Sequence, residues 1–243
     1  MKIYFDGCAK TGGFSRTGRE DRRYPKLLCE KLNAEEHNLA HRGGNNRRIV
    51  RNLLEHDLSQ FDLFIIQMTK RSRLEFYDRK AERWVSIGKQ CRKLPQKITG
   101  LSKTVEEMFI TVRNEGDREI TLYTMWKDNL ISLNDVPSYQ RGTHKEVYTV
   151  IDNDDIRWMV QHYLHYYRCV YTEQQGKIDE QNCYTTIKSL LKDKKHIIMY
   201  MNSDRKIHVP VDLIYQRGKD YVSGFYMGPE THQMILNDIE NLL

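Results

Sequence analysis

No run of 18 apolar residues occurs in the chain, which excludes a membrane-spanning helix. The start, Met-Lys-Ile-Tyr-Phe, lacks the long apolar core and small-residue cleavage site of a secretory leader, so a soluble, intracellular protein is expected. The five cysteines (Cys8, Cys29, Cys91, Cys169 and Cys183) are odd in number and contain no CxxC. Neither a disulfide framework nor a zinc site is indicated, and reduced thiols in a cytosol-like compartment are expected. Internal repeats and low-complexity segments are absent, and no cofactor is expected. What remains is a chain of 243 residues with 39% hydrophobic content, long enough for one well-buried domain or one domain with a sizeable insertion.

The formal charge of +6 is modest, but its distribution is uneven. Lys10, Arg16, Arg19, Arg22 and Arg23 form one cluster, Arg42, Arg47, Arg48 and Arg51 a second, and Lys70, Arg71 and Arg73 a third. Within those stretches the acids are Glu20 and Asp21 alone.

The first third alternates strand-like and helix-like segments. "KIYF" reads as a strand, and "YPKLLCEKLN" sets Leu27, Leu28 and Leu32 at helical spacing, with Pro25 suited to a first helical turn. "EEHNLA" supplies a second short strand before the turn "HRGGNN". Asn45 or Asn46 then suits the N-cap of a helix carrying Ile49, Val50, Leu53 and Leu54 on one face. "DLFIIQMT" is nearly continuous in apolar residues, as a strand buried on both faces of a parallel sheet is. This order predicts an α/β fold of three layers, α/β/α, around a doubly wound and mostly parallel sheet, with strands at 2–5, about 36–40, 63–67 and 196–201.

From 76 to 150 the pattern weakens into charges, glycines and short β-like fragments. That segment is expected to be an insertion, lying over one end of the sheet, within a single domain of 1–243. Periodicity returns with Ile156, Met159, Val160, Tyr163, Leu164, Tyr167, Val170 and Tyr171 after the acidic start "DNDD". A helix around 183–191 then leads into the strand "HIIMYM". "KIHVPVDLIY" suits an edge strand because of Pro210. A last helix from Pro229 is expected to bury Met234, Ile235, Ile239 and Leu242.

Four blocks, "KIYFDGCAKTGG", "NLAHRGGNNRRIVR", "DLFIIQMT" and "FYMGPETHQMI", resemble in order and spacing those of the SGNH or GDSL hydrolases. They are most similar to small, often phage-encoded members whose first block reads Gly-Cys-Ser. The resemblance covers about 1–77 and 154–243. It implies a serine nucleophile just after the first strand, oxyanion donors from a backbone amide, a glycine and an asparagine, and an Asp-x-x-His near the C-terminus that orients and supplies the base. If the protein is phage-encoded, its compartment is the host cytoplasm.

This chain departs from that pattern where the chemistry sits. The nucleophile position falls on Ala9, the Asp on Ser223 and the His on Tyr226, while Thr69 stands where many relatives carry the third-block Asn. Three simultaneous losses indicate natural divergence from covalent catalysis. Four residues offer a rescue. Cys8 is an adjacent thiol, which a helix start and nearby cations would activate, or else a small buried residue beneath the turn. Ser15 lies in the same loop. His232 falls where the family often has a second histidine, and suits packing or capping more than base chemistry. Asp6 has the chemistry to bind a metal or a hydroxyl. His162 and His165 have helical ligand spacing, but no third ligand is indicated, so Tyr163, Tyr167 and Tyr171 read as a core stripe flanked by histidines.

With this fold the basic clusters lie at or just after the carboxyl ends of the first three strands, where such sheets bind ligands. Lys10, Arg16, Arg42, Arg47, Lys70 and Arg71, with the amides of Gly43, Gly44 and Asn45 and the neighbouring Asn46, would suit an anion: phosphate, nucleotide, nucleic acid or an acidic sugar. The alternative is that these arginines point outward or pair with Glu20, Asp21, Glu55 and Asp57. Three functions remain open: a hydrolase of an ester or acetyl group on an anionic substrate, a non-catalytic binder of an anionic small molecule or nucleic acid, and a partner-docking protein. None of them requires a membrane.

Overall fold

A computed structural model describes residues 1–13, 22–41, 43–79, 82–94, 105–114, 121–126, 129–132, 149–150, 154–201, 209–215 and 229–243. Ser15, Arg16, Arg42, Ser223 and Tyr226 lie outside the described residues. Contacts divide the chain into two compact units, 1–74 with 177–243, and 75–176.

The first unit is built on strands β1 (Lys2–Asp6), β2 (Glu35–Asn38) and β3 (Leu63–Met68), joined by β10 (His196–Met201) and β11 (Leu213–Tyr215). Their spatial order is β11-β10-β3-β1-β2, and the pairs β1–β2, β1–β3, β3–β10 and β10–β11 are all parallel. The order therefore reverses at β1 and β3, the flavodoxin-type arrangement in which the crevice at the carboxyl ends of the reversing strands receives ligands.

Both faces of the sheet are covered. Ile3, Phe5, Leu63, Ile65, Ile197 and Met199 point to one side, under helices α2 (Tyr24–Lys31) and α6 (Pro229–Leu242). Tyr4, Phe64, Ile66, Met68, Ile198 and Tyr200 point to the other, under α3 (Asn46–Glu55) and α5 (Glu173–Leu190). The expected three-layer, doubly wound architecture is thus present, and strands buried on both faces account for the nearly unbroken apolar runs. The Asn45 side chain caps α3 by accepting the Arg48 N–H at 2.9 Å, and Pro25 sits in the first turn of α2. A four-residue helix, α1 (Ala9–Gly12), follows β1 directly.

Several face assignments change. On α3, Ile49 and Leu53 are buried, whereas Val50 is half-buried and Leu54 is 64% exposed. On α6, Ile235 and Ile239 are buried as expected, but Met234 and Leu242 are exposed, and His232 and Leu236 complete the buried side. Helix α5 begins ten residues before the expected 183.

The second unit contains an antiparallel sheet ordered β4-β5-β6-β7-β8-β9. Its strands are β4 (Arg73–Asp78), β5 (Arg83–Leu94), β6 (Val105–Asn114), β7 (Thr121–Trp126), β8 (Asn129–Ser132) and β9 (Thr149–Val150). Helix α4 (Asp154–His165) packs against β6 and β8 and runs into a π-helical turn at Tyr166–Val170. Tyr167 and Tyr171 are buried, Tyr163 is half-buried, and His162 and His165 are exposed beside them. His162 stacks on the exposed Trp158, with ring centroids 5.6 Å apart. Among the described residues, no group of three or more His, Cys, Asp or Glu is placed to hold a metal ion, and no helix is long and apolar enough to cross a membrane.

Candidate functional site

The carboxyl ends of β1, β2 and β3 carry the turns singled out in the sequence, and three polar residues lock them together. Asp6, fully buried, points to the α3 side of the sheet. It accepts from Arg48 Nη2 at 2.5 Å, Asn52 Nδ2 at 2.8 Å and the Gly7 N–H at 2.6 Å. Burial pushes its carboxyl up, while Arg48 and the hydrogen bonds from Asn52 and Gly7 push it back. These donors fix Asp6 as an anchor at the end of β1. Arg48 also donates to Leu39 O at 2.7 Å and to Gly7 O at 3.0 Å, joining the ends of β1 and β2.

Gln67, on β3, points to the opposite face. Its Oε1 accepts from the Cys8 N–H at 3.2 Å and from Thr11 Oγ1 at 2.7 Å, and its Nε2 lies 3.1 Å from Cys8 Sγ. The β1–α1 turn is therefore shaped by a side chain from the neighbouring strand. Thr11 Oγ1 reaches Tyr24 Oη at 2.9 Å, and Lys10 Nζ donates to Met201 O at 3.0 Å. Ala9 is half-exposed at the head of α1, so position 9 presents only a methyl group. Cys8 is 7% exposed. Burial acts to raise its pKa, but the charges of Arg73 and Lys10, the Lys10 N–H and Gln67 outweigh that, and the thiol is held below its ordinary value.

Gly44 stacks so closely on the first turn that a Cβ there would collide with the Gly7 carbonyl oxygen; only a residue without a side chain allows this approach. Gly43 has φ 75°, a left-handed turn conformation that glycine adopts freely. Asn46 accepts from the Thr69 N–H at 2.7 Å, so the start of α3 is tied to the end of β3. Arg73 Nη1 donates to Gly44 O at 2.9 Å.

The basic residues divide into two groups. Arg23 pairs with Glu36 at 2.8 Å, Arg48 with Asp6, and Arg51 with Glu55 at 3.1 Å; these are structural. Arg47, Arg71 and Arg73, with Asn46, line one pocket with Leu74 and with Asp179, Glu180 and Cys183 of α5. Arg47 meets Asp179 at 3.2 Å and Arg71 meets Glu180 at 4.0 Å. Lys70 is exposed, and neither it nor Lys10 lines this pocket. Arg73 and the two α5 carboxylates are additions to the expected set.

His232 is 2% exposed on α6, where its Nδ1 accepts the Tyr24 N–H at 3.2 Å and its ring stacks on Tyr24. Burial, with a smaller effect of Arg23, lowers its pKa to about 4. It is a neutral cap on α2, and its Nδ1 lone pair is engaged there.

No family model matches the chain, and no curated protein matches it. Similar solved structures include a carbohydrate esterase whose active site is described as having divergent catalytic and non-catalytic binding functions. It shares 13% identity over 99% of this chain and 64% of its own, with a TM-score of 0.44. An acetyl xylan esterase from the rumen bacterium Butyrivibrio proteoclasticus shares 10% identity over 100% of this chain and 63% of its own, at TM-score 0.42. An extracellular lipase from Streptomyces rimosus shares 9% over 99% of this chain and 72% of its own, at TM-score 0.32. The chain spans less than two thirds of the length of the first two.

Proposed function

We propose that this protein is a repurposed relative of the SGNH hydrolases that binds a phosphate-bearing ligand, a nucleotide or nucleic acid, at the carboxyl edge of its parallel sheet, without serine-type ester hydrolysis. The observation that carries this reading is the convergence of Arg47, Arg71 and Arg73 on one pocket with Asn46, in the same unit as a turn that offers a methyl group at position 9. Guanidinium groups present paired donors that match phosphate oxygens. Catalysis by the ancestral route needs a hydroxyl and a free imidazole. Position 9 has no hydroxyl, and His232 is buried, neutral and engaged.

The test is a titration of a labelled single-stranded oligonucleotide and of a nucleotide against the wild type and single variants at two salt concentrations. Arg47→Ala and Arg71→Ala should weaken binding at least about tenfold more than Lys93→Ala or Lys97→Ala, and Arg47→Lys should not restore it, because an ammonium cannot reproduce the two-pronged contact. Binding should also weaken with salt. If neither ligand binds, or if the insertion variants lose as much affinity, this reading is wrong.

A second reading has its own support. A thiol whose pKa is held below its ordinary value is shifted towards the nucleophilic thiolate, and Cys8 stands one residue from the ancestral nucleophile. Turnover of p-nitrophenyl acetate that disappears in Cys8→Ala would establish a thiol hydrolase in place of a binder.

A further inference from the structure

Two histidines that the candidate site does not use meet at the edge of the parallel sheet. The sheet ends at β2, where His37 lies opposite Tyr4 of β1. The half-buried His37 ring packs on Tyr4, Phe61 and His56, with centroid distances of 5.6, 5.0 and 5.3 Å. His56 follows the last turn of α3, and its Nδ1 donates to the Asn52 carbonyl at 2.7 Å, which holds the ring in place. His37 Nε2 is enclosed, and no polar group among the described residues reaches it. A neutral imidazole can leave one nitrogen there as a bare lone pair. An imidazolium carries a hydrogen on both nitrogens, so protonation encloses a charged N–H without an acceptor from the described residues.

The charges around the pair oppose that proton. Lys2 of β1 lies over the Phe61 ring at 5.3 Å, beside the same cluster. The neighbouring carboxylates each have a cation already: Glu35 of β2 has Lys2 at 3.2 Å, Asp6 of β1 has Arg48, and Glu55 of α3 has Arg51. Burial, then His56 and Lys2, push the His37 pKa down, against Glu35 and Asp6, which raise it.

We propose that His37 and His56 form a proton-operated latch on β2: neutral, the two rings close the edge strand onto Phe61 and β1; protonated, they repel each other and Lys2 and let the strand loosen. The consequence reaches the candidate site, because β2 runs into Leu39, whose N–H donates to Phe5 O at 2.9 Å and whose carbonyl accepts from Arg48. The latch goes beyond the anion-binding reading and does not depend on it. The folded His37 lies below the 6.5 of an ordinary imidazole, so the latch is fully closed above pH 6.5 and opens as the pH falls through the folded value.

The experiment is native-state amide hydrogen exchange on the full chain at about pH 7.5 and about pH 5, with each rate divided by the intrinsic rate at that pH. Protection of the Leu39 amide should fall by about tenfold more than that of Ile65 and Ile66 in β3, within the range for two unit charges about 5 Å apart near a protein surface. The comparison within one molecule separates this local opening from the effect of His232 on the whole fold. His37→Phe keeps a ring against Tyr4 and Phe61 but does not titrate, and should bring the excess loss below about twofold. His56→Gln keeps a donor for the Asn52 carbonyl and removes the like charge, so it should reduce the loss as well, and it decides alone if His37→Phe does not fold. A loss at Leu39 that matches Ile65 and Ile66 in the wild type, or that persists in full in a folded His37→Phe or His56→Gln, overturns the latch.

Discussion

Asn46 and Thr69 hold each other through three hydrogen bonds: Asn46 Oδ1 accepts from the Thr69 N–H at 2.7 Å and from Oγ1 at 3.1 Å, while its Nδ2 donates to the Thr69 carbonyl at 3.2 Å. Both residues are buried. Asn46→Ala strands two backbone groups and a hydroxyl away from water and should cost about 2–3 kcal/mol. Thr69→Val removes only the hydroxyl and should cost about 0.5–1.5 kcal/mol. Urea unfolding of the two variants checks the order; equal losses would mean that the backbone bonds contribute little.

Gly44→Ala sets a methyl group against the Gly7 carbonyl oxygen, a backbone atom that has no flexible end to move aside. The two turns must separate, at a cost of about 1–3 kcal/mol. Ligand affinity should fall in parallel, since Arg73 is fastened to Gly44 O. A thermal melt and the oligonucleotide titration read the two effects separately.

His232 makes stability depend on pH. Its pKa falls from 6.5 in the unfolded chain to about 4 in the fold, so between those values the unfolded chain binds a proton that the folded one refuses. The associated stability is complete above pH 6.5 and declines as the pH drops towards about 4. At ~1.36 kcal/mol per pH unit the decline is bounded at about 3 kcal/mol. His232→Gln keeps an acceptor for the Tyr24 N–H and does not titrate, so its stability should vary less across this window. Parallel wild-type and variant profiles would refute the assignment.

Restoring a hydroxyl should not restore an enzyme. Ala9→Ser places an oxygen at the half-exposed head of α1, but the described imidazole of the terminal helix is spent on Tyr24, and a serine without a base is a poor nucleophile. Its turnover of p-nitrophenyl acetate should match a heat-treated control. Activity well above that control would locate a base in the segments outside the described residues.

The sheet was readable in the sequence because its strands are buried on both faces: "DLFIIQMT" and "HIIMYM" leave little room for another interpretation. The helix starts at Asn46 and Tyr24 followed from Asn45 and Pro25. The full buried face of α6 was not readable, because Met234, Ile235, Leu236, Ile239 and Leu242 offer overlapping stripes and only packing against α2 and the shared core selects one. The start of α5 was missed because "EQQGKIDE" has no apolar period. Arg47 and Arg48 are adjacent and chemically identical in sequence, yet one lines the pocket and the other is sealed against Asp6; a contact 42 residues distant makes that choice. Gln67 did carry a signal: a lone amide inside a fully buried strand needs partners, and those partners are the site.

Because Gln67 reaches Cys8 and Thr11 from 59 and 56 residues downstream, the turn bearing position 9 has local bonds of its own but takes its anchorage from a distant strand. That anchorage comes only when β3 docks beside β1, a non-local event that is slow compared with helix formation. The Gln67 contacts that hold Cys8 and Thr11 therefore form only once β3 is in place. In pulse-labelled hydrogen exchange, the Cys8 amide should become protected together with Ile65 and Ile66 of β3, and later than the amides of α2.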